Sequence, residues 1–298
     1  MLPLFTSLNQ AVNKGKRAPH KPLLILLSLA NIQAGKPRLL PFSEIEEPLK
    51  NLLIEFGPYT KSYRPELPFY HLQNDRVWEL SAPNEETQKV LRKLGAANKS
   101  FFRNEYILGG FPEPIYRQLR DNPAELRELA EYLLNAHFPE TIHQDILDAI
   151  GLNIDPPEAE ARYTTSKRRT RDPKFRERIL EAYDHQCAVC GFQVLLKGRS
   201  IALEAAHIQW HQAGGPDIVV NGLCLCPLHH KLFDRGVFTL DDGLRIQISE
   251  AASGHSQAFK DWMLAYDGRQ ILSPKNPSYF PEELYVEWHV REVFYGRL

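Results

Sequence analysis

Long apolar runs are missing from this 298-residue chain: it contains no stretch of about 18 apolar residues, so nothing in it is suited to cross a bilayer as a helix. Excess charge of either sign is missing too. With 36 Lys and Arg against 37 Asp and Glu, the formal net charge is −1, so any nucleic-acid surface must be local rather than a property of the whole chain. The N-terminus, MLPLFTSLNQAVNKGKRAPHKP, lacks a signal-peptide cleavage pattern, which makes the cytoplasm the expected location. Cysteine is scarce, at 4 residues, and thiols are kept reduced in that compartment. A Cys-x-x-Cys pair there points to metal or redox chemistry before a disulfide.

What remains is the composition of a soluble globular protein, 43% hydrophobic and 24% charged. The length suits two domains of ordinary size. After Pro19, the segment HKPLLILLSLANIQAG predicts a buried helix with a left-handed stop at its glycine. Ser43 with Glu46 fits a capping box for a helix that ends near Gly57. The aromatic-rich runs LPFYHL (67–72) and RVWEL (76–80), separated by Gln73, Asn74 and Asp75, predict a β-hairpin. Asn122 as cap and Pro123 at the first helical position predict a further helix. The expected class is α+β: a mostly helical N-terminal domain with a small antiparallel sheet over 1–152, a linker over 153–172, and a second domain over 173–298. The linker, NIDPPEAEARYTTSKRRTRD, has no apolar period. It holds Arg162, Lys167, Arg168, Arg169 and Arg171, and with Lys174, Arg176 and Arg178 it forms the densest basic stretch, suited to phosphate contact.

Cys187-Ala188-Val189-Cys190 and Cys226-Pro227-Leu228-His229 are two ligand pairs with matching gaps. Together they can close a tetrahedral zinc site of three thiolates and one imidazole, which staples a small domain. Cys224 stands two residues from Cys226, and the spacing alone does not exclude it as a ligand.

The motifs EAAHI, NGL, Cys-x-x-His-His and LFDRG, within residues 173–245, resemble the HNH endonuclease family. The resemblance implies a zinc-stapled ββα-metal fold and assigns the signature roles to His207, Asn221 and His230. Chemistry agrees with those residue types. Hydrolysing a phosphodiester needs water deprotonated near neutral pH, and an imidazole is suited to take that proton. His207 is the expected base, Asn221 the orienter of base and metal, and His230 a ligand for one Mg²⁺ or Mn²⁺ ion. Many members carry Asp or His just before the catalytic histidine, where this chain has Ala206. Asp234, one helical turn beyond His230, is expected to complete the ligand set. Glu204 is its rival, although strand alternation puts it on the side of Ala206.

Over residues 1–150, LNQAVNKGKRAPHKPLLILLSLA, FGPYTKSYRPELPFYHLQNDRVWEL and GGFPEPIYRQL resemble the sulfur-binding domains that precede HNH nucleases in phosphorothioate-dependent type IV restriction enzymes. The implied partner is double-stranded DNA with a non-bridging phosphate oxygen replaced by sulfur. Sulfur is larger and accepts hydrogen bonds poorly, so an apolar dimple favours it over oxygen. Burying it and stranding an oxygen there together give about 2 to 4 kcal/mol, or about 30-fold to 1,000-fold discrimination. Leu67 and Pro68 supply the expected wall, with Tyr70 and His71 beside it. Arg17, His20, Lys21 and Arg64 are expected on neighbouring phosphate oxygens and bases, with Arg76 adding to them.

The sequence therefore predicts a modification-dependent endonuclease. Because one HNH site cuts one strand, double-strand cleavage implies a homodimer or successive nicks. Three other readings compete: an HNH enzyme that reads another modification or a sequence, a non-catalytic zinc-finger DNA-binding protein, and a regulatory protein whose finger binds a protein partner.

Overall fold

A computed structural model describes residues 3–6, 8, 19–154 and 173–296. Among them, residues up to 137 together with 143–154 form one unit, and residues 138–142 with 173–296 form a second. Arg17, Arg168 and Arg169 lie outside the described residues. No described helix is long and apolar enough to cross a membrane.

After the short α1 (Pro3–Thr6), the first unit is centred on α2 (His20–Gln33), where Leu23, Leu24, Ile25, Leu26 and Leu29 are all fully buried. A helix apolar on every side belongs in the middle of its domain. It stops as predicted, with Gly35 at φ +72, a conformation that costs glycine no Cβ clash. Against it pack α3 (Phe42–Phe56), α4 (Glu66–His71), α7 (Glu113–Asp121), α8 (Pro123–His137) and α9 (His143–Ile150), while α6 (Lys99–Asn104) packs on α3 and α5 (Glu85–Arg92) precedes α6 in the chain. At the start of α8, Asn122 Oδ1 accepts the Glu125 backbone N–H at 3.3 Å, as the capping pattern predicts.

Three short strands, β1 (Leu39–Pro41), β2 (Glu79–Ser81) and β3 (Leu108–Gly110), pair antiparallel with β3 in the centre; Leu39 and Glu79 both lie opposite Gly110. The glycines of β3 are steric. A Cβ on Gly109 would sit 2.5 Å from the Phe69 ring, and one on Gly110 would sit 2.0 Å from the Arg38 carbonyl oxygen.

Two local expectations fail in this unit. LPFYHL is helical: Pro65, Pro68, Phe69 and Leu72 are buried while Leu67, Tyr70 and His71 are half-buried, which is a helical period rather than an alternation. Pro68 falls in the first turn of α4, where its missing N–H costs nothing. The Phe69 ring is fixed 4.9 Å from Phe42 and 5.6 Å from Phe102. Consequently β2 pairs with β3, and the expected hairpin does not form. The Ser43–Glu46 capping box is absent as well, because no side chain caps α3. Glu46 is instead buried, and its carboxylate is held by Arg103 and Lys99. Those cations more than offset the effect of burial, which alone would raise its pKa, and hold its carboxyl below the ordinary range.

The second unit begins with α10 (Pro173–Ala182) and a hairpin of β4 (Leu195–Leu196) and β5 (Arg199–Ser200). Its centre is the ββα element: β6 (Glu204–His207), β7 (Gly222–Leu225) and α11 (Pro227–Asp234), with His207 opposite Gly222. Gly222 leaves room for α10, since a Cβ there would lie 2.3 Å from Ile179 Cδ1. Strands β8 (Phe238–Leu240) and β9 (Ile246–Ile248), then α12 (Gln257–Trp262) and α13 (Glu283–Glu292), complete the unit. Leu223, Leu225, Phe233 and Phe238 form the dry centre beneath α11, each contributing on the order of 2 kcal/mol by leaving water.

Candidate active site

Cys187, Cys190, Cys226 and His229 converge, their ligand atoms all within 4.8 Å of one another. The turn after α10 supplies the first pair. Cys226 caps α11 and His229 stands in its first turn. Nδ1 of His229 faces the sulfurs, 3.1 Å from Cys226 Sγ and 3.6 Å from Cys187 Sγ, while Nε2 lies 2.9 Å from the Trp262 carbonyl. That carbonyl fixes the ring so that Nδ1 is the nitrogen turned toward the sulfurs and able to hold a metal. Three soft sulfurs and one nitrogen in a closed cluster, buried except for the half-buried Cys190, fit structural zinc. Cys224 stays outside this group: it is buried in β7, and its carbonyl accepts the Ala188 N–H at 2.7 Å.

One residue along α11, His230 turns to a pocket also lined by Phe175, Arg176, Glu204, His207 and His211. His207 closes β6, stacks on the Phe175 ring at 4.2 Å, and places Nε2 2.7 Å from Asp217 Oδ1. Asn221 is fully buried and ties the connecting loop together. Its Oδ1 accepts the Gln209 N–H at 2.8 Å, and its Nδ2 donates to the carbonyls of Gln209 at 3.1 Å and Pro216 at 3.0 Å. Gly215 is required by that fold-back, since a Cβ there would lie 1.8 Å from the Gln209 carbonyl oxygen.

His230 sits between two carboxylates, with Nδ1 2.6 Å from Glu204 Oε2 and Nε2 3.2 Å from Asp234 Oδ2. Burial disfavours the charged ring, but the carboxylates outweigh it and push the imidazole up to about 9. Asp234 is buried, which opposes its ionisation, yet the His230 charge holds its carboxyl below the ordinary range. Its other contacts are the Trp210 indole N–H at 3.0 Å on Oδ1 and the Thr141 hydroxyl on Oδ2. Glu204 is far more open, with 43% of its side chain exposed.

Asp217 was not singled out by the sequence. Its signal is the Gly214-Gly215-Pro216 turn between His207 and Asn221, which can fold a following carboxylate back onto the strand end. Glu204 reaches His230 although it alternates with His207 along β6, because its long side chain spans to α11.

In the first unit, Lys21 pairs with the Asp75 carboxylate and Arg64 with Glu66 at 2.8 Å. His20, Leu67, Tyr70 and His71 are half-buried and Pro68 is buried. The Tyr70 hydroxyl donates to the Leu94 carbonyl. His20 and Lys21 open α2, while Leu67, Pro68, Tyr70 and His71 belong to α4.

Residues 1–155 match the family described as ScoMcrA-like, DNA sulfur-binding domain, and residues 187–241 match the HNH endonuclease family. The second unit thus carries an HNH endonuclease domain. Similar solved structures include the sulfur binding domain of SprMcrA complexed with phosphorothioated DNA, at 22% identity over 51% of this chain and 91% of that chain, TM-score 0.41. The sulfur binding domain of ScoMcrA complexed with phosphorothioated DNA is 20% identical over 50% of this chain and 94% of that one, TM-score 0.41. The type IV phosphorothioation-dependent restriction endonuclease ScoMcrA is 13% identical over 77% of this chain and 82% of that one, TM-score 0.39. No curated protein matches the chain.

Proposed function

The chain belongs to the ScoMcrA-like DNA sulfur-binding domain family, and from that premise we propose a modification-dependent restriction endonuclease that recognises phosphorothioated DNA and hydrolyses nearby phosphodiester bonds with one divalent metal ion. The observation that carries the hydrolytic half is the pair of imidazoles, His207 and His230, lining one pocket.

His207 takes the proton of the attacking water. The Asp217 carboxylate engages Nε2, where it orients the ring and stabilises the imidazolium that forms. Asn221 holds the loop from Gln209 to Pro216 that carries Asp217 to its place. The donor set at His230, one imidazole flanked by two carboxylates, fits Mg²⁺ or Mn²⁺. Between the carboxylates, the buried Asp234 is better placed as the group that orients the ring. The open Glu204, on the Nδ1 edge, is better placed as a direct ligand than the expected Asp234. The ion would supply positive charge to the scissile phosphate and the leaving 3′ oxygen.

Sulfur reading is assigned to α4, with Leu67, Pro68, Tyr70 and His71 forming the dimple and His20, Lys21 and Arg64 on phosphate oxygens; Arg17, Arg168 and Arg169, outside the described residues, are assigned to DNA phosphates as well. One site cuts one strand, so a double-strand break takes two copies or two successive nicks. The test is incubation of the full chain with sulfur-marked and unmarked duplexes in Mg²⁺, in Mn²⁺ and without either. The marked duplex is expected to be cut at least about 30-fold faster. Equal digestion of both would remove the specificity and leave the nuclease.

A further inference from the structure

One exposed feature of the second unit takes no part in this chemistry. Among the described residues the β4–β5 hairpin pairs with no other strand, and it sets Leu195 opposite Ser200 and Leu196 opposite Arg199. Its turn, Lys197-Gly198, has φ +51 and +76, both positive as in a tight type I′ connection. Leu195 is 57% exposed and Leu196 61%. Successive strand residues face opposite sides, so neither face of the hairpin is covered. The ten residues FQVLLKGRSI, 192–201, contain the cations Lys197 and Arg199 and no anion. The base is braced, with Ser200 Oγ 2.8 Å from His185 Nδ1 and Gln193 Nε2 donating to the Asp184 carbonyl at 3.0 Å.

Size and charge together select the occupant. A stable protein interface takes about 20 to 30 residues a side, far more than this hairpin offers. A DNA wedge takes one or two apolar side chains between base steps, with cations on the flanking phosphates. We propose that the β4–β5 hairpin is a DNA wedge: Leu196 enters a base step, Leu195 packs on the groove wall, and Lys197 and Arg199 hold the adjacent phosphates. Its place follows from chain length. Residues 201–203 alone join β5 to β6, so Ser200 lies within about 14 Å of Glu204 at the pocket edge, or about four base steps at 3.4 Å each. The wedge opens the duplex beside the cut and fixes the scissile strand against His207. This inference rests on the endonuclease reading.

The test uses the full chain and a phosphorothioated duplex with 2-aminopurine at successive positions from the mark, first without Mg²⁺ or Mn²⁺ and then with them. Fluorescence is expected to rise at one or two adjacent steps near the cut, a readout that needs no variant. L195S/L196S, which alters only exposed side chains, is expected to melt like wild type, lose the signal and cut about tenfold more slowly. K197A/R199A is expected to make the slope of log affinity against log salt shallower by about 1.8. Three results overturn the wedge: wild type cuts but no position brightens, L195S/L196S cuts and brightens as wild type does, or L195S/L196S dissolves a DNA-free dimer. A wild type that cuts neither marked nor plain DNA overturns the endonuclease reading first, and the wedge with it.

Discussion

Asp217 holds His207 by Nε2 at 2.7 Å, across a loop that Asn221 closes with three hydrogen bonds. The arrangement gives the imidazole one orientation before any substrate arrives. His207→Ala is expected to slow cleavage by about 10² to 10⁴-fold. Asp217→Asn should cost about 10-fold to 100-fold in kcat with little change in KM, and should displace the acidic limb of the pH–rate profile. An unchanged profile would reduce Asp217 to a structural contact.

The Cys187, Cys190, Cys226 and His229 cluster is expected to carry about one zinc per chain, on which the second unit depends for folding. Cys226→Ser or a strong chelator should remove the metal and abolish cooperative melting of that unit. Cys224→Ser should retain full zinc content by atomic absorption. Loss of zinc in that variant would return Cys224 to the ligand set.

Glu204 and Asp234 separate by what each does to metal dependence. Glu204→Gln should raise the Mg²⁺ concentration needed for half-maximal rate by about 10-fold or more. Asp234→Asn should lower the maximal rate at saturating metal, because the His230 ring loses the carboxylate that orients it. Swapped effects would make Asp234 the direct ligand.

His289 gives the second unit an acid sensitivity. It is wholly buried, stacked 3.7 Å from the Phe233 ring, with Nε2 3.1 Å from the Phe233 carbonyl and Nδ1 2.9 Å from Thr239 Oγ1. Burial pushes its pKa down to about 4, against the pull of that carbonyl and of the Asp234 charge. The unfolded chain takes up the proton near its ordinary value, about 6.5. Stability is therefore complete above that value and falls as pH drops toward 4, by on the order of 3 kcal/mol in all. Melting temperatures of wild type and His289→Gln should converge over this interval.

The convergence of Cys187, Cys190, Cys226 and His229 was legible because they come in two local pairs, and a spacing of three along a turn or helix start fixes which atoms can meet. Helix α2 was legible for a similar reason: a leucine run opened by Pro19 and closed by Gly35 has one sensible conformation. LPFYHL reads as a strand because its aromatic composition favours strands, while its burial period, Pro65, Pro68, Phe69 and Leu72, is helical. The Asp217–His207 contact depends on how a ten-residue loop folds back, and no periodicity encodes that. Glu46 shows the same limit, since the local cap it matched lost to Arg103 and Lys99 from a helix far along the chain.

His229 and His230 are neighbours on α11, yet one turns to the sulfurs and the other to the pocket. An α-helix rotates by about 100° per residue, so a single peptide bond divides the sulfur cluster from the pocket. Replacing His230 by alanine would take the imidazole out of the pocket while His229 still closed the finger, and is expected to yield a folded, zinc-replete protein that cannot cut. On the proposed reading, the angular phase of one helix couples assembly of this domain to its catalysis.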